Sequence, residues 1–76
     1  RNERLSYYVK ALEIRRQIKD SVGIGASLLD IGTIYEQIGN AQKSMEYYKQ
    51  SFLIREKIKD HGGMALCLIH FGHQEE

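Results

Sequence analysis

The chain has 76 residues, 11 basic against 10 acidic side chains, a formal charge of +1 and one cysteine. That length holds one small domain, which is marginally stable unless it is helical and well packed, or oligomeric. Charges of both signs are interleaved without a block of either, so there is no electrostatic case for nucleic acid or an anionic membrane. The apolar runs are too short for a transmembrane span or a signal-peptide core. Cys67 has no partner for an intrachain disulfide, which makes a reducing, intracellular and cytoplasmic setting the expectation. Arg1 in place of an initiator Met suggests a piece excised from a longer protein.

In chain order, Leu5, Tyr8, Ala11, Leu12, Ile14 and Ile18 recur at helical spacing among charged residues, with no Gly or Pro, and predict a first helix. Asp20-Ser21 ends it and caps a second helix, which reaches Ile38 despite Gly23, Gly25 and Gly32. Those glycines cost roughly 1 kcal/mol each relative to alanine, so a packing reason for them is expected. Gly39 suits a left-handed C-terminal cap and Asn40 caps a third helix, after which Asp60 repeats the punctuation before a fourth. The predicted helices lie near 2–19, 21–38, 41–59 and 61–74.

The chain also matches itself. A shift of 40 residues brings Tyr7-Tyr8 onto Tyr47-Tyr48, Ile14-Arg15 onto Ile54-Arg55 and Ile18-Lys19-Asp20 onto Ile58-Lys59-Asp60. It also brings Gly23, Leu28 and Gly32 onto Gly63, Leu68 and Gly72 without a gap. One unbroken shift is the mark of a helical-repeat array rather than a closed bundle.

Leu28, Ile31, Gly32, Tyr35, Gly39, Ser44, Tyr48 and Ser51 together resemble the tetratricopeptide pattern. In that family a large residue, a Leu-Gly pair and a Tyr line the first helix of each pair, and small, aromatic and small residues line the second. Here Ile31 stands for the Leu, and Ser44 and Ser51 stand for alanines. The 40-residue period, against a common repeat of about 34, resembles the long-repeat subset found in spindle-orientation scaffolds and microbial signalling proteins. The resemblance implies an all-α fragment of an α-solenoid built from antiparallel helical hairpins, with four helices in B-A-B-A order. Residues 1–76 then form a single repeat module, with a B-type helix at 1–20, a complete A-B repeat at 21–60 and an A-type helix at 61–76.

Most conspicuous residues have packing roles in this reading. Ile31 and Tyr35 fall within about 60° of Leu28 on a helical wheel, forming one buried stripe. The third helix carries two apolar stripes, Met45-Tyr48-Phe52 and Tyr47-Ile54-Ile58, as a helix between two neighbours requires. Arg15 and Arg55 recur on an apolar stripe, where the stem packs and the guanidinium reaches a carboxylate or a helix end. Cys67, His70 and His73 stand three apart, so a helix could hold a metal between two of them, but two ligands are not a metal site, and no orienting group completes a Cys-His nucleophile. Gly23-Ile24-Gly25 lacks the strand and the Lys-Ser/Thr of a phosphate loop. No catalytic, cofactor-binding or metal residue is assigned, and an enzyme is not expected.

The resemblance places function on the concave face of the A-type helices. On the second helix that face holds Ala26, Leu29, Thr33, Glu36 and Gln37, and on the fourth Leu66, Ile69, His73 and Glu76. The Lys and Asn of the family's carboxylate clamp are replaced by Leu29, Thr33, Ile69 and His73, which argues against a chaperone-tail receptor. The expected role is a scaffold or adaptor that takes a peptide or partner helix with aliphatic anchors and some positive charge. Packing of Leu29 and Ile69 against neighbouring A helices is the alternative for those two positions. The alternative function is a self-assembling repeat fragment with no separate ligand. Met64, Leu68 and Phe71 on the fourth helix have no following B helix, and Tyr8, Ala11 and Leu12 on the first have no preceding A helix. Burying each large side chain is worth roughly 1.5–3 kcal/mol, so these stripes are expected to join chains, head-to-tail or about a two-fold axis. Gln74 and Glu75 oppose this by making the last turn polar, as in a capping repeat.

Overall fold

Between the helical stretches the chain carries three short turns, Ile18-Lys19-Asp20, Gly39-Asn40 and Ile58-Lys59-Asp60. In the computed structural model, which describes residues 2–75 and the side chains of residues 3–72, these turns separate four helices. They are α1 (Asn2–Gln17), α2 (Ser21–Ile38), α3 (Ala41–Lys57) and α4 (His61–Glu75). No strand occurs among the described residues. The fold is all-α, as expected. His73, Gln74 and Glu75 belong to α4 by their backbone, but their side chains lie outside the described set.

The turns share one hydrogen-bond plan. The amides of Asp20, Asn40 and Asp60 donate to the carbonyls of Arg15, Tyr35 and Arg55, five residues back, at 2.9, 2.9 and 2.8 Å. The side-chain oxygens of the same three residues accept from the amides of Gly23, Lys43 and Gly63 at 3.0, 3.1 and 3.0 Å. One residue thus closes one helix and opens the next, satisfying orphan groups at both ends. The plan requires a left-handed residue in the middle, and Lys19, Gly39 and Lys59 take it, with φ of 58°, 98° and 60°. Hence α1 and α3 end at residues 17 and 57 instead of the predicted 19 and 59.

Among the described residues extensive packing joins successive helices only, and the α2–α3 contact is the largest. This chain-order stacking is that of an array. A first core unites Leu12 of α1 with Ile24, Leu28 and Ile31 of α2, flanked by Leu5, Tyr8, Tyr35, Tyr47 and Ile54. A second unites Leu29 of α2, Tyr48 of α3 and Cys67 of α4, flanked by Met45, Phe52 and Phe71. The two stripes of α3 therefore face different cores.

Close approach of α2 and α3 explains Gly32. A Cβ there would lie 2.7 Å from the Tyr48 ring and 3.2 Å from the Ser44 carbonyl oxygen. Beneath them the Ser51 hydroxyl donates to the Gly25 carbonyl at 2.7 Å. Each recurring arginine reaches forward across its turn to the beginning of the next helix. Arg15 donates to the Gly23 carbonyl at 3.0 Å and to the Ser27 hydroxyl at 2.7 Å, and Arg55 donates to the Gly63 carbonyl at 3.2 Å. In the second copy Cys67 takes the place of Ser27. The Arg55–sulfur distance is 3.9 Å, and the buried Arg55 Nε has no hydrogen-bond partner among the described residues.

Three substitutions check this account. A left-handed non-glycine residue is penalised by Cβ crowding, so Lys59→Gly should raise stability by about 0.5–1 kcal/mol in chemical denaturation. Gly32→Ala should lower it by about 1–3 kcal/mol through overpacking on Tyr48. Gly72→Ala, at the matching position of α4 with nothing within 4 Å, should raise it by up to about 1 kcal/mol.

Candidate functional site

The outward arc of α2 between its two cores carries Val22, Ala26, Asp30, Thr33 and Gln37 at helical spacing. At the edge of that arc the Tyr48 ring rises from α3, and its hydroxyl donates to Glu36 Oε1 at 2.6 Å and lies 3.4 Å from Thr33 Oγ1. Thr33 in turn donates to the Leu29 carbonyl at 3.0 Å, which fixes its hydroxyl against its own helix. From the other side His70 of α4 lies against the Tyr48 ring, with centroids 4.9 Å apart. The result is a polar cluster between the two A-type helices, floored by one buried phenol.

Burial is the main reason that the Tyr48 hydroxyl titrates above its ordinary value, and the neighbouring Glu36 adds to the shift. The phenol stays protonated at neutral pH and acts as a donor. Glu36 is half-buried, and no cation pairs with it among the described residues. Asp30 reaches solvent, yet partial burial holds its carboxyl above the usual range against the opposing pull of Arg15 and Arg55. No group of three or more potential metal ligands occurs among the described residues. Cys67 is fully buried, and its thiol donates to the Ser51 hydroxyl at 3.4 Å, while His70 lies on Tyr48.

The residues expected along the groove divide into three groups. Ala26, Thr33 and Glu36 are half-buried, and Gln37, Leu66 and Ile69 are exposed. Leu29 is instead buried, packed with Tyr48 and Cys67 in the second core, because α4 and α3 close over the side of α2 that carries it. His73 lies outside the described side chains, and Glu76 outside the described residues. Tyr48, His70 and Asp30, which border the same arc, were not among the residues expected there. The first two lie on core-facing arcs, and only the tip of the Tyr48 ring meets Glu36 and Thr33, which helical spacing does not register.

The stripes expected to join chains also need correction. Leu12 is buried against α2, and Tyr8 packs on the same core, since the Leu5-Tyr8-Leu12 stripe serves the helix that follows rather than one that precedes. Ala11 is half-buried. On α4, Met64 is half-buried and Phe71 packs on Tyr48 and Phe52, leaving Leu68 exposed.

A family model described as tetratricopeptide repeat matches residues 5–57, which covers α1 from Leu5 onward and all of α2 and α3. The chain belongs to the tetratricopeptide repeat family. Comparison with curated proteins and with solved structures finds no match. Tetratricopeptide repeats are non-catalytic modules that bind protein partners, and no helix among the described residues is long and apolar enough to cross a membrane. Within this repeat pair, Leu29→Ala should cost about 2–5 kcal/mol, as Leu28→Ala should, both read by urea denaturation.

Proposed function

We propose that this tetratricopeptide chain is a scaffold or adaptor module that takes a peptide or partner helix along the outer arc of α2 and α4. The observation that carries the reading is Glu36, a half-buried carboxylate that accepts from Tyr48 and has no cationic partner among the described residues. A Lys or Arg of a partner supplies that missing charge, and the buried Tyr48 hydroxyl holds the Glu36 carboxylate in place to receive it. Exposed Val22 and Leu66, with half-buried Ala26, supply apolar surface for an aliphatic anchor. Since Leu29 belongs to the core, the groove is more polar than its sequence implies. The partner is therefore recognised by charge and hydrogen bonding first.

Selection of a displayed random-peptide library on the chain tests this. Enriched peptides should carry Lys or Arg beside an aliphatic residue, and their binding should weaken with salt. Glu36→Gln keeps an acceptor for Tyr48 and removes the charge, so affinity should fall about tenfold, near 1.4 kcal/mol, with little change in melting. Enrichment of acidic peptides, or equal affinity for the variant, would count against the reading.

A further inference from the structure

The Tyr48 ring is shared by polar groups of two other helices. At one end its hydroxyl donates to Glu36 of α2 at 2.6 Å. Against its face lies the half-buried His70 ring of α4, with centroids 4.9 Å apart and planes tilted by 38°. Tyr48 is itself fully buried, so the ring between the two groups excludes water and screens their charges poorly. His70 meets Tyr48 on the side of α4 that packs on α3, so this contact lies inside the stack and involves no outer face of an end helix.

Few other charges face that imidazole. From α3 it meets Tyr48, whose phenol is held neutral by burial, while the Arg55 guanidinium of the same helix is turned to the Gly63 carbonyl and the Cys67 sulfur. From α2 come Glu36, through the phenol, and Asp30 on the outward arc, where Arg15 and Arg55 act on its carboxyl. Between His61 and Gly72 α4 has no Asp, Glu, Lys or Arg, and His61 stands at the start of the helix, about two and a half turns away. Histidine is the side chain that ordinarily changes charge between pH 5 and 8. While His70 is neutral, Glu36 has no cation among the described residues. Once protonated, His70 places a positive charge on the very ring whose hydroxyl Glu36 holds, and an imidazolium on that ring also strengthens the phenol as a donor to the carboxylate.

We infer that protonation of His70 weakens the capture of a cationic partner at Glu36, so that mild acidification releases the partner. The effect rests on Glu36 being the partner's anchor, as proposed above, and adds a control to that site. The partner's cation and the imidazolium compete for one carboxylate, so each lowers the affinity of the site for the other.

The probe is a Lys- or Arg-bearing peptide enriched in the library selection. Its affinity for the parent chain should fall about fivefold from pH 8 to pH 6, a range in which carboxylates ordinarily stay ionised. His70→Phe keeps a ring on Tyr48 without a proton to exchange, and His70→Gln keeps a polar side chain. Both variants should retain the helical circular dichroism of the parent and bind at pH 6 as the parent does at pH 8. In the free chain the carboxyl carbon NMR signal of Glu36 should move between pH 8 and pH 6 in the parent and stay in place in His70→Phe. Peptide binding that needs Glu36 yet is equal at the two pH values overturns the inference alone. So does the parent's full pH response in both His70 variants, or a Glu36 signal that moves alike in parent and His70→Phe. Full affinity of Glu36→Gln at pH 8 marks failure of the anchor itself, and the inference falls with it.

Discussion

Tyr48 lies in the middle of the stack only because residue 32 has no side chain. Its ring takes the volume that a Cβ on α2 would occupy, and that close approach brings Ser51 within reach of the Gly25 carbonyl. The same ring continues across to α4, where His70 and Phe71 lie on it. One aromatic side chain therefore sets the spacing of three helices. Its hydroxyl, carried to the far edge of that contact, is held by Glu36 and Thr33. The packing residue and the polar floor of the proposed groove are thus the same residue, and the polar cluster inherits its geometry from the core.

The elements were legible where the signal is local. The caps at Asp20, Asn40 and Asp60 and the left-handed Gly39 follow from side-chain chemistry within a few residues, and the shift of 40 exposes the array without any contact being known. Lys19 and Lys59 were not legible as left-handed residues, because lysine normally prolongs a helix. The turn overrides that preference by satisfying the carbonyls of Arg15 and Arg55. Leu29 marks a different limit. A helix inside a stack has two buried arcs, and periodicity locates the arcs without saying which neighbour reaches over each. Helical spacing placed Thr33 and Glu36 on one face of α2, but the hydroxyl that Glu36 accepts from comes from α3, a contact that no spacing rule contains.

The two arginines illustrate how copies diverge without losing their frame. Arg15 and Arg55 make the same reach into the following helix, one ending on a hydroxyl and the other near a thiol, a weaker acceptor. Burial is deeper at the second site, where α3 is enclosed on both sides, so the poorer acceptor falls where the guanidinium is least hydrated. The stem of Arg55 still fills space beside Gly25 and Gly63, and that packing is what the second copy retains.

Because extensive contact joins only helices adjacent in the chain, the contact order is low, and folding does not wait for distant segments to meet. The α2–α3 hairpin holds the largest contact and can form first, with α1 and α4 adding to its two sides as separate cooperative units. Release of α4 alone uncovers Cys67, which is inaccessible while that helix is docked. The thiol is therefore a built-in clock: its rate of alkylation counts the openings of one end of the stack while the hairpin beside it stays closed.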